Sequence, residues 1–198
     1  MPRPLHTLDA ETARRIHVVG FDVDGVLTDG GVYVGGLASR TVELKRFDIQ
    51  DNVGFRLLRD AGMKIVLVSG RRSDATTVRA RELAVDDVVQ DPSATKLPIV
   101  RRLLERFGAG LDEAAFVADD LPDIPVLERV GLPVAVANAV PEVMDAARFV
   151  TRSRGGHGAA REVAESLLKA RGDWDDVVTR YLDARRTAIP IGVGDADS

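Results

Sequence analysis

The chain has 198 residues, 45% of them hydrophobic, which predicts one ordinary globular domain with a buried core. Its formal net charge of -4, with both signs interleaved, argues against non-specific binding to nucleic acid or to an anionic membrane. The absence of cysteine excludes disulfides and a thiolate metal site or nucleophile. No apolar run is long enough to span a membrane, and the polar N-terminus lacks a signal-peptide core, so a cytoplasmic protein is expected.

Short apolar runs alternate with segments of helical periodicity along most of the chain. The predicted strands are Ile16 to Val23, Lys64 to Val68, Val85 to Val89, Ala114 to Ala118, Pro133 to Ala137 and Phe149 to Val150. Five helices are predicted with both ends: Asp9 to Arg15, a cap at Asp51 or Asn52 to Gly62, Ser73 or Asp74 to Leu83, Ala159 to Ala170, and Asp173 to Ala184. Of three others, the first ends at Phe107, the second ends at Val130 and the third begins at Pro141. This alternation predicts an α/β fold with a doubly wound parallel sheet.

One pair of β-rich runs departs from this alternation. It surrounds Gly35 and Gly36 and predicts a β-hairpin flap over about residues 32–45. A single domain is expected over residues 1–185, followed by a flexible tail over 186–198. Trp174 and Tyr181, seven residues apart on the last predicted helix, are expected to form a core or subunit stripe.

Polar side chains follow the ends of the predicted strands. The first strand ends in Asp22, Asp24 and Gly25, the second in Ser69, Gly70 and Arg71, and the fourth in Asp119, Asp120 and Asp123, while Lys96 lies near a helix start after the third. Each residue alone is compatible with a solvated loop. In a doubly wound sheet, however, the carboxyl ends of the strands share the edge at which ligands bind, so we expect these side chains to lie close together.

The chemistry of this edge favours phosphoryl transfer. Clustered carboxylates repel one another and raise one another's pKa unless a cation lies among them. All-oxygen ligands, without cysteine or a histidine pair, favour Mg²⁺ over Zn²⁺. Ser69, the amides around Gly70 and the ammonium of Lys96 supply donors for an anion. A metal, anion donors and a free carboxylate together are typical of phosphoryl transfer.

Four segments, in this order, resemble the motifs of haloacid dehalogenase superfamily phosphatases. They are Asp22 to Gly30 (DVDGVLTDG), Ser69-Gly70-Arg71, Lys96, and Asp119 to Asp123 (DDLPD), and the likeness covers about residues 16–170. The continuation of the last segment as IPVL and the stretch Arg154 to Glu162 (RGGHGAARE) resemble one family in particular, the 3-deoxy-D-manno-octulosonate 8-phosphate phosphatases.

The resemblance implies a Rossmann-like fold without a large cap domain, and a Mg²⁺-dependent phosphatase for a small phosphorylated sugar acid. That substrate is expected to be 3-deoxy-D-manno-octulosonate 8-phosphate or a related nonulosonate phosphate. The family also implies a homotetramer in which the hairpin of one subunit helps to build a neighbour's active site. The expected partners are therefore a small-molecule phosphate and further copies of the chain, with no nucleic acid and no membrane.

The resemblance also implies a role for each matched residue. Asp22 is the expected nucleophile, which forms an aspartyl-phosphate, and Asp24 is the expected general acid and base. The remaining expected roles are phosphate or substrate binding for Ser69, Gly70, Lys96, Arg71 and Thr28, metal binding for Asp22, the backbone carbonyl of Asp24 and Asp119, and orientation of waters or of Lys96 for Asp120 and Asp123.

Some positions depart from the family pattern. Ala118 replaces the usual glycine, Gln50 replaces an arginine that helps to recognise the sugar acid, and the loop Asp91 to Thr95 differs. These changes leave the chemistry intact and the exact substrate open. The alternatives are a phosphatase for a different small phosphate, and a catalytically idle tetramerisation domain of the kind fused to sialate-activating enzymes.

Three local features carry two interpretations each. Thr28 and Asp29 either shape the turn after Gly25 or touch the substrate. Arg71 either caps a helix and pairs with acids or binds a substrate anion. The glycines of the loop 154–158 either cradle an anion with their amides or act as a hinge.

Overall fold

The computed structural model describes residues 2–37 and 40–187. The strands are β1 Arg3–Pro4, β2 Val18–Phe21, β3 Tyr33–Leu37, β4 Arg40–Leu44, β5 Lys64–Ser69, β6 Asp87–Gln90, β7 Ala114–Ala118, β8 Leu132–Ala135 and β9 Phe149–Val150. The α-helices are α1 Ala10–Arg15, α2 Gln50–Asp60, α3 Asp74–Leu83, α4 Lys96–Phe107, α5 Ile124–Leu127, α6 Pro141–Ala146, α7 Ala159–Arg171 and α8 Trp174–Thr187. Short 3-10 helices cover Leu5–Thr7, Leu111–Glu113 and Leu121–Asp123.

Seven of these strands form one parallel sheet in the order β1-β9-β8-β7-β2-β5-β6. The central strand β2 pairs with β5 on one side and with β7 on the other. The chain thus leaves β2 in one direction and later returns to its opposite side. This reversal of strand order opens a crevice above the carboxyl end of β2, where open α/β sheets bind ligands.

Helices cover both faces of the sheet. One apolar core lies against α1, α2, α3, α7 and α8, and it includes the stacked rings of Phe21 and Phe55, whose centroids are 5.0 Å apart. The second core lies on the opposite face, against α4, α5 and α6. Trp174 and Tyr181 of α8 are partly buried against the first core, as the core interpretation of that stripe predicts. The doubly wound prediction is therefore confirmed.

The predicted hairpin is present as a separate two-stranded antiparallel sheet of β3 and β4, in which Tyr33 pairs with Leu44. The expected turn at Gly35 and Gly36 is wrong, because both glycines lie within β3 and pair with Val42 and Thr41. It is the only sheet that stands between β2 and α2 in the described residues, and these residues contain no large cap domain. Within the same described residues, no other part of this chain forms a lid over the crevice.

Three expectations about the elements need correction. The edge strand β1 and the 3-10 helix that follows it were not expected from the polar lead-in. The predicted cap of α2 at Asp51 or Asn52 is wrong, because α2 begins at Gln50 and the carboxylate of Asp48 accepts the Gln50 N–H at 2.9 Å. Helix α8 extends to Thr187, beyond the predicted end at Ala184. The remainder of the predicted tail, residues 188–198, lies outside the described residues.

Asp51 instead serves another helix. It is buried within α2, and its Oδ1 accepts the Arg161 N–H in the first turn of α7 at 3.0 Å. Burial raises the pKa of Asp51 to about 7, a rise that the hydrogen bond from Arg161 only partly opposes. This contact ties the start of α7 to α2 across the first core.

No helix in the ranges 2–37 and 40–187 is long and apolar enough to cross a membrane.

Candidate active site

The predicted polar residues lie at one edge of the sheet because each follows, ends or starts an element that converges there. Asp22 follows β2, Ser69 is the last residue of β5, Asp119 follows β7, and Lys96 is the first residue of α4. β5 and β7 flank β2, so the three strand ends are neighbours. A crevice of about 210 Å³ lies between them, and its lining includes Asp22, Asp24 and Lys96.

Lys96 is the cationic centre of this crevice. Its Nζ lies 2.6 Å from Asp22 Oδ1 and 2.6 Å from Asp123 Oδ1, and all three side chains are buried. Burial alone lowers the pKa of a lysine, but here the charges of Asp22 and Asp123 outweigh it and hold the pKa of Lys96 above its usual value. The charged form of Lys96 is therefore favoured, and its ammonium lies between two carboxylates.

A third carboxylate, Asp119, joins the two that pair with Lys96. Asp22, Asp119 and Asp123 each offer an oxygen, and these oxygens lie within 4.8 Å of one another. Burial raises the pKa of Asp119 to about 8 and that of Asp123 to about 7, and in both cases the charge of Asp22 adds to the rise. Burial also raises the pKa of Asp22, against the opposing effect of Lys96. Full ionisation of the three acids is therefore costly unless a cation or protons offset their charge.

A divalent cation would offset that charge. Asp119 Oδ1 is buried and has no hydrogen-bond partner in the described part of the chain, which is costly for a carboxylate unless a cation binds it. The donor set contains only oxygens, which suits Mg²⁺ better than Zn²⁺. Asp22, Asp119 and Asp123 therefore fit a metal ion, and the predicted ligands Asp22 and Asp119 are both in the cluster.

The turn between Asp22 and Gly30 is built around Gly25 and Thr28. Gly25 has φ +89, and a Cβ there would overlap Asp119 Oδ2. The hydroxyl of Thr28 is buried and accepts the N–H groups of Gly25 and Gly30, each at 3.2 Å. Asp29 accepts the Gly31 N–H at 2.9 Å. The structure thus favours the turn-shaping interpretation of Thr28 and Asp29, and a substrate contact of Thr28 stays a prediction.

The segment after β5 faces both the crevice and the flap. The buried Ser69 hydroxyl accepts the Arg71 N–H at 3.1 Å, and Gly70 lines the crevice. Arg71 is half-exposed, and its Nη2 lies 2.9 Å from Glu43 Oε2 of β4. Arg71 therefore pairs with an acid while it also lines the crevice, so both of its predicted roles remain compatible with its position.

Asp120 and Asp123 differ in their surroundings. Asp123 is buried and bound to Lys96, in agreement with the expectation that it orients this lysine. Asp120 is exposed at the rim of the crevice, and its Oδ1 accepts the Leu121 N–H at 2.8 Å at the start of a 3-10 helix.

The glycine-rich loop at 154–158 packs against the turn that contains Gly25. Gly156 donates its N–H to Val26 O at 3.1 Å, and Gly155 donates to Asn138 Oδ1 at 2.6 Å. Asn138 in turn donates from Nδ2 to Gly25 O at 2.9 Å. Because the amides of Gly155 and Gly156 are already engaged, the loop acts as a brace for the turn rather than as an anion cradle.

Sequence reasoning missed two residues of this region. One is Asn138, which directly follows the predicted strand Pro133 to Ala137, and the other is Lys45 at the end of the predicted flap; the sequence assigns a role to neither. Lys45 Nζ lies 2.7 Å from Asp24 Oδ1, and its side chain is completely buried. No local pattern could have indicated this contact, because it depends on how the flap root folds back over the crevice.

Comparisons with known proteins agree with this arrangement. Residues 87–163 match the model of the haloacid dehalogenase-like hydrolase family. The 3-deoxy-D-manno-octulosonate 8-phosphate phosphatase of Escherichia coli K12 is 39% identical over 164 residues, which cover 83% of this chain and 85% of that enzyme.

Solved structures are similar over almost the whole described fold. A putative hydrolase of the haloacid dehalogenase superfamily from Legionella pneumophila superimposes with a TM-score of 0.82 at 34% identity, covering 88% of this chain and 93% of that one. The 3-deoxy-D-manno-octulosonate 8-phosphate phosphatase of Moraxella catarrhalis, solved with a magnesium ion, a phosphate ion and a 3-deoxy-D-manno-octulosonate (KDO) molecule, has a TM-score of 0.81 at 31% identity and covers 87% and 97%.

Proposed function

The chain belongs to the 3-deoxy-D-manno-octulosonate 8-phosphate phosphatases of the haloacid dehalogenase superfamily, and on this basis we propose that it hydrolyses 3-deoxy-D-manno-octulosonate 8-phosphate or a closely related sugar-acid phosphate. The observation that carries this proposal is the cluster of Asp22, Asp119 and Asp123 at an open crevice, in which Asp22 and Asp123 pair with Lys96. That cluster supplies a nucleophile, metal ligands and an anion donor in one place.

In the proposed first step, a carboxylate oxygen of Asp22 attacks phosphorus as the ester P–O bond breaks, and Asp24 donates a proton to the leaving oxygen. In the second step, Asp24 removes a proton from a water molecule, which attacks the aspartyl-phosphate and releases inorganic phosphate. Ser69, the amide of Gly70 and Lys96 bind the phosphoryl oxygens. The proposed further substrate contacts are Arg71, which lines the crevice, and Thr28, which is buried in the turn after Gly25.

Phosphatases of this superfamily use a divalent metal, and we assign that role to Mg²⁺ held by Asp22, Asp119 and the backbone carbonyl of Asp24. The ion, when bound, would offset the negative charge that the phosphate brings to a site already rich in carboxylates. Asp123 keeps Lys96 in place, and Asp120 at the rim is positioned to orient water.

A second candidate substrate is a different small sugar phosphate. Gln50, which is exposed at the start of α2, replaces the arginine that the family resemblance associates with sugar-acid recognition. An idle assembly domain is disfavoured, because Asp22, Asp24, Lys96 and Asp119 are all present and converge on one crevice. The cytoplasmic location stays a prediction.

We further propose a homotetramer in which the flap of one subunit walls the crevice of its neighbour. Large apolar side chains are exposed on and beside the flap: Tyr33, Val34, Leu44 and Ile49 are 61–72% exposed. Isolated exposed hairpins of this kind are marginally stable and prone to pairing, so burial against sister subunits would stabilise them. It would also supply the crevice with the cover that the chain's own described residues lack.

A phosphate-release assay over a panel of sugar and sugar-acid phosphates tests the proposal. We expect the highest kcat/KM with 3-deoxy-D-manno-octulosonate 8-phosphate, loss of activity in excess EDTA, and recovery with Mg²⁺. A preference for another sugar phosphate would select the second candidate. Undiminished turnover in excess chelator, or no phosphate release from any substrate with Mg²⁺, would contradict the proposed site.

A further inference from the structure

Lys45 is a buried cation at the root of an exposed flap. It follows β4, and its side chain is completely buried, whereas the neighbouring Leu44 is 61% exposed. Burial of an ammonium group costs free energy unless it is paired and hydrogen-bonded, so the partners of Lys45 indicate why the fold keeps it there.

Those partners come from three different elements. Lys45 Nζ lies 2.7 Å from Asp24 Oδ1 in the turn after β2, 3.7 Å from Glu43 Oε1 in β4, and 3.3 Å from Thr76 Oγ1 in α3. Glu43 is itself held by Arg71, whose Nη2 lies 2.9 Å from Glu43 Oε2. The ammonium is therefore fixed by the flap and by α3. It contacts the crevice wall directly at Asp24 and, through Glu43, at Arg71.

The contact fixes one particular oxygen of Asp24. Oδ1 is buried and has no hydrogen-bond partner among the described residues, so the ion pair with Lys45 Nζ is the contact that compensates its charge. The Asp24 side chain as a whole is 22% exposed and lines the crevice. Because Oδ1 does not contribute to this exposure, the ammonium holds the buried oxygen and leaves the rest of the carboxyl group on the crevice side.

We propose that Lys45 is a positioning residue for Asp24. By holding Oδ1 it sets the orientation in which the other oxygen transfers a proton to the leaving group and later accepts one from water. The inference rests on the proposed role of Asp24 as general acid and base. It gives the root of the flap a direct part in catalysis, in addition to any part in assembly.

The test compares two substrates that differ in their need for an acid. The alkoxide leaving group of 3-deoxy-D-manno-octulosonate 8-phosphate must be protonated, whereas 4-nitrophenolate leaves readily without a proton. Both substrates form the same aspartyl-phosphate, so the comparison uses kcat/KM, which reports the step in which the leaving group departs. In Lys45→Met, which keeps the length of the side chain and removes its charge, we expect kcat/KM for the sugar phosphate to fall about 10- to 100-fold, the scale of a misplaced catalytic group. We expect kcat/KM for 4-nitrophenyl phosphate to fall less than about 3-fold, because its leaving group needs no proton from Asp24.

Two further variants keep the test sharp. Thr76→Val removes a second partner of Lys45 Nζ while nearly preserving shape, and it should shift the ratio of the two kcat/KM values in the same direction by a smaller factor. Lys169→Met is the matched control, since Lys169 also pairs with an acid, Glu165 at 2.9 Å, but lies on α7 away from the crevice. It should leave the ratio unchanged.

Asp24→Asn separates this inference from the proposed function. It should lower kcat/KM for the sugar phosphate far more than kcat/KM for 4-nitrophenyl phosphate. If Asp24→Asn shows that selectivity but folded Lys45→Met loses both activities equally, the positioning role of Lys45 is wrong and Asp24 keeps its assignment. If Asp24→Asn itself shows no selectivity, the assignment of Asp24 fails and the role of Lys45 fails with it.

Discussion

Replacement of Gly25 by alanine should damage the metal site much more than it damages the fold. Gly25 has φ +89, and a Cβ there would lie 2.6 Å from Asp119 Cγ and overlap Asp119 Oδ2. Carbon atoms in contact are separated by about 3.5 Å or more, so Asp119 must move by about 1 Å. That movement displaces a carboxylate which the three-acid cluster needs for a cation.

Gly62→Ala provides a matched control for backbone strain. Gly62 follows α2 with φ +81, and a Cβ there meets nothing within 4 Å. Both substitutions should cost about 1–2 kcal/mol in the free energy of unfolding, because an alanine is strained in the left-handed region. Only Gly25→Ala also displaces Asp119, and it should weaken Mg²⁺ binding about 10- to 100-fold, as changes that disturb metal ligands commonly do.

The assay measures phosphate release as a function of Mg²⁺ concentration, together with urea unfolding of the metal-free proteins. The expected result is similar unfolding free energies for the two variants and a shifted Mg²⁺ dependence for Gly25→Ala alone. Equal Mg²⁺ dependence in both variants would show that Asp119 does not contribute to the metal site in the way its position indicates.

Four further predictions concern the nucleophile, a metal ligand, a buried acid and the flap. Asp22→Asn should abolish turnover, because an amide does not attack phosphorus, and near-normal turnover of this variant excludes the covalent route. Asp119→Asn should weaken activation by Mg²⁺ and raise the melting temperature in EDTA by removing a buried like charge. Burial raises the pKa of Asp51 to about 7, so the folded chain retains a proton that the unfolded chain releases, and the contribution of Asp51 to stability is lost as pH rises from about 4 through 7. The unfolding free energy of Asp51→Asn minus that of wild type should therefore rise by roughly 2 kcal/mol from pH 5 to pH 7, as measured by urea unfolding. A difference that is independent of pH refutes this. Deletion of Gly35 and Gly36 should leave the core fold intact but dissociate the tetramer and broaden substrate choice; a wild-type chain that is monomeric by light scattering and still selective contradicts the role of the flap.

Much of the site could be predicted because its residues lie next to strong local signals. Asp22, Ser69 and Asp119 each end or directly follow an apolar strand, and parallel strands bring their carboxyl ends to one edge. Lys96 was placed by its position at a helix start in the matched motif, and its ion pairs with Asp22 and Asp123 agree with that placement.

The residues that escaped prediction depend on contacts between distant parts of the chain. Asp51 looks like the cap of its own helix in sequence, yet its carboxylate serves α7, 110 residues away. The glycines of the 154–158 loop suggest an anion site, but their amides bind Val26 and Asn138 because the loop packs directly on the turn at Gly25. Lys45 appears as an ordinary lysine of an amphipathic hairpin until the flap root folds over Asp24. Strand β1 has two residues, too few for any periodicity.

The central claim is that this chain transfers the phosphoryl group of its substrate to Asp22 before water removes it. Rapid acid quenching of the enzyme with Mg²⁺ and radiolabelled 3-deoxy-D-manno-octulosonate 8-phosphate, followed by peptide mapping, tests this directly. We expect transient label on the peptide that contains Asp22, at up to one phosphate per chain, and no label in Asp22→Asn. Phosphate release by the wild-type enzyme without any labelled protein at times shorter than one turnover, or label on a different residue, would contradict it.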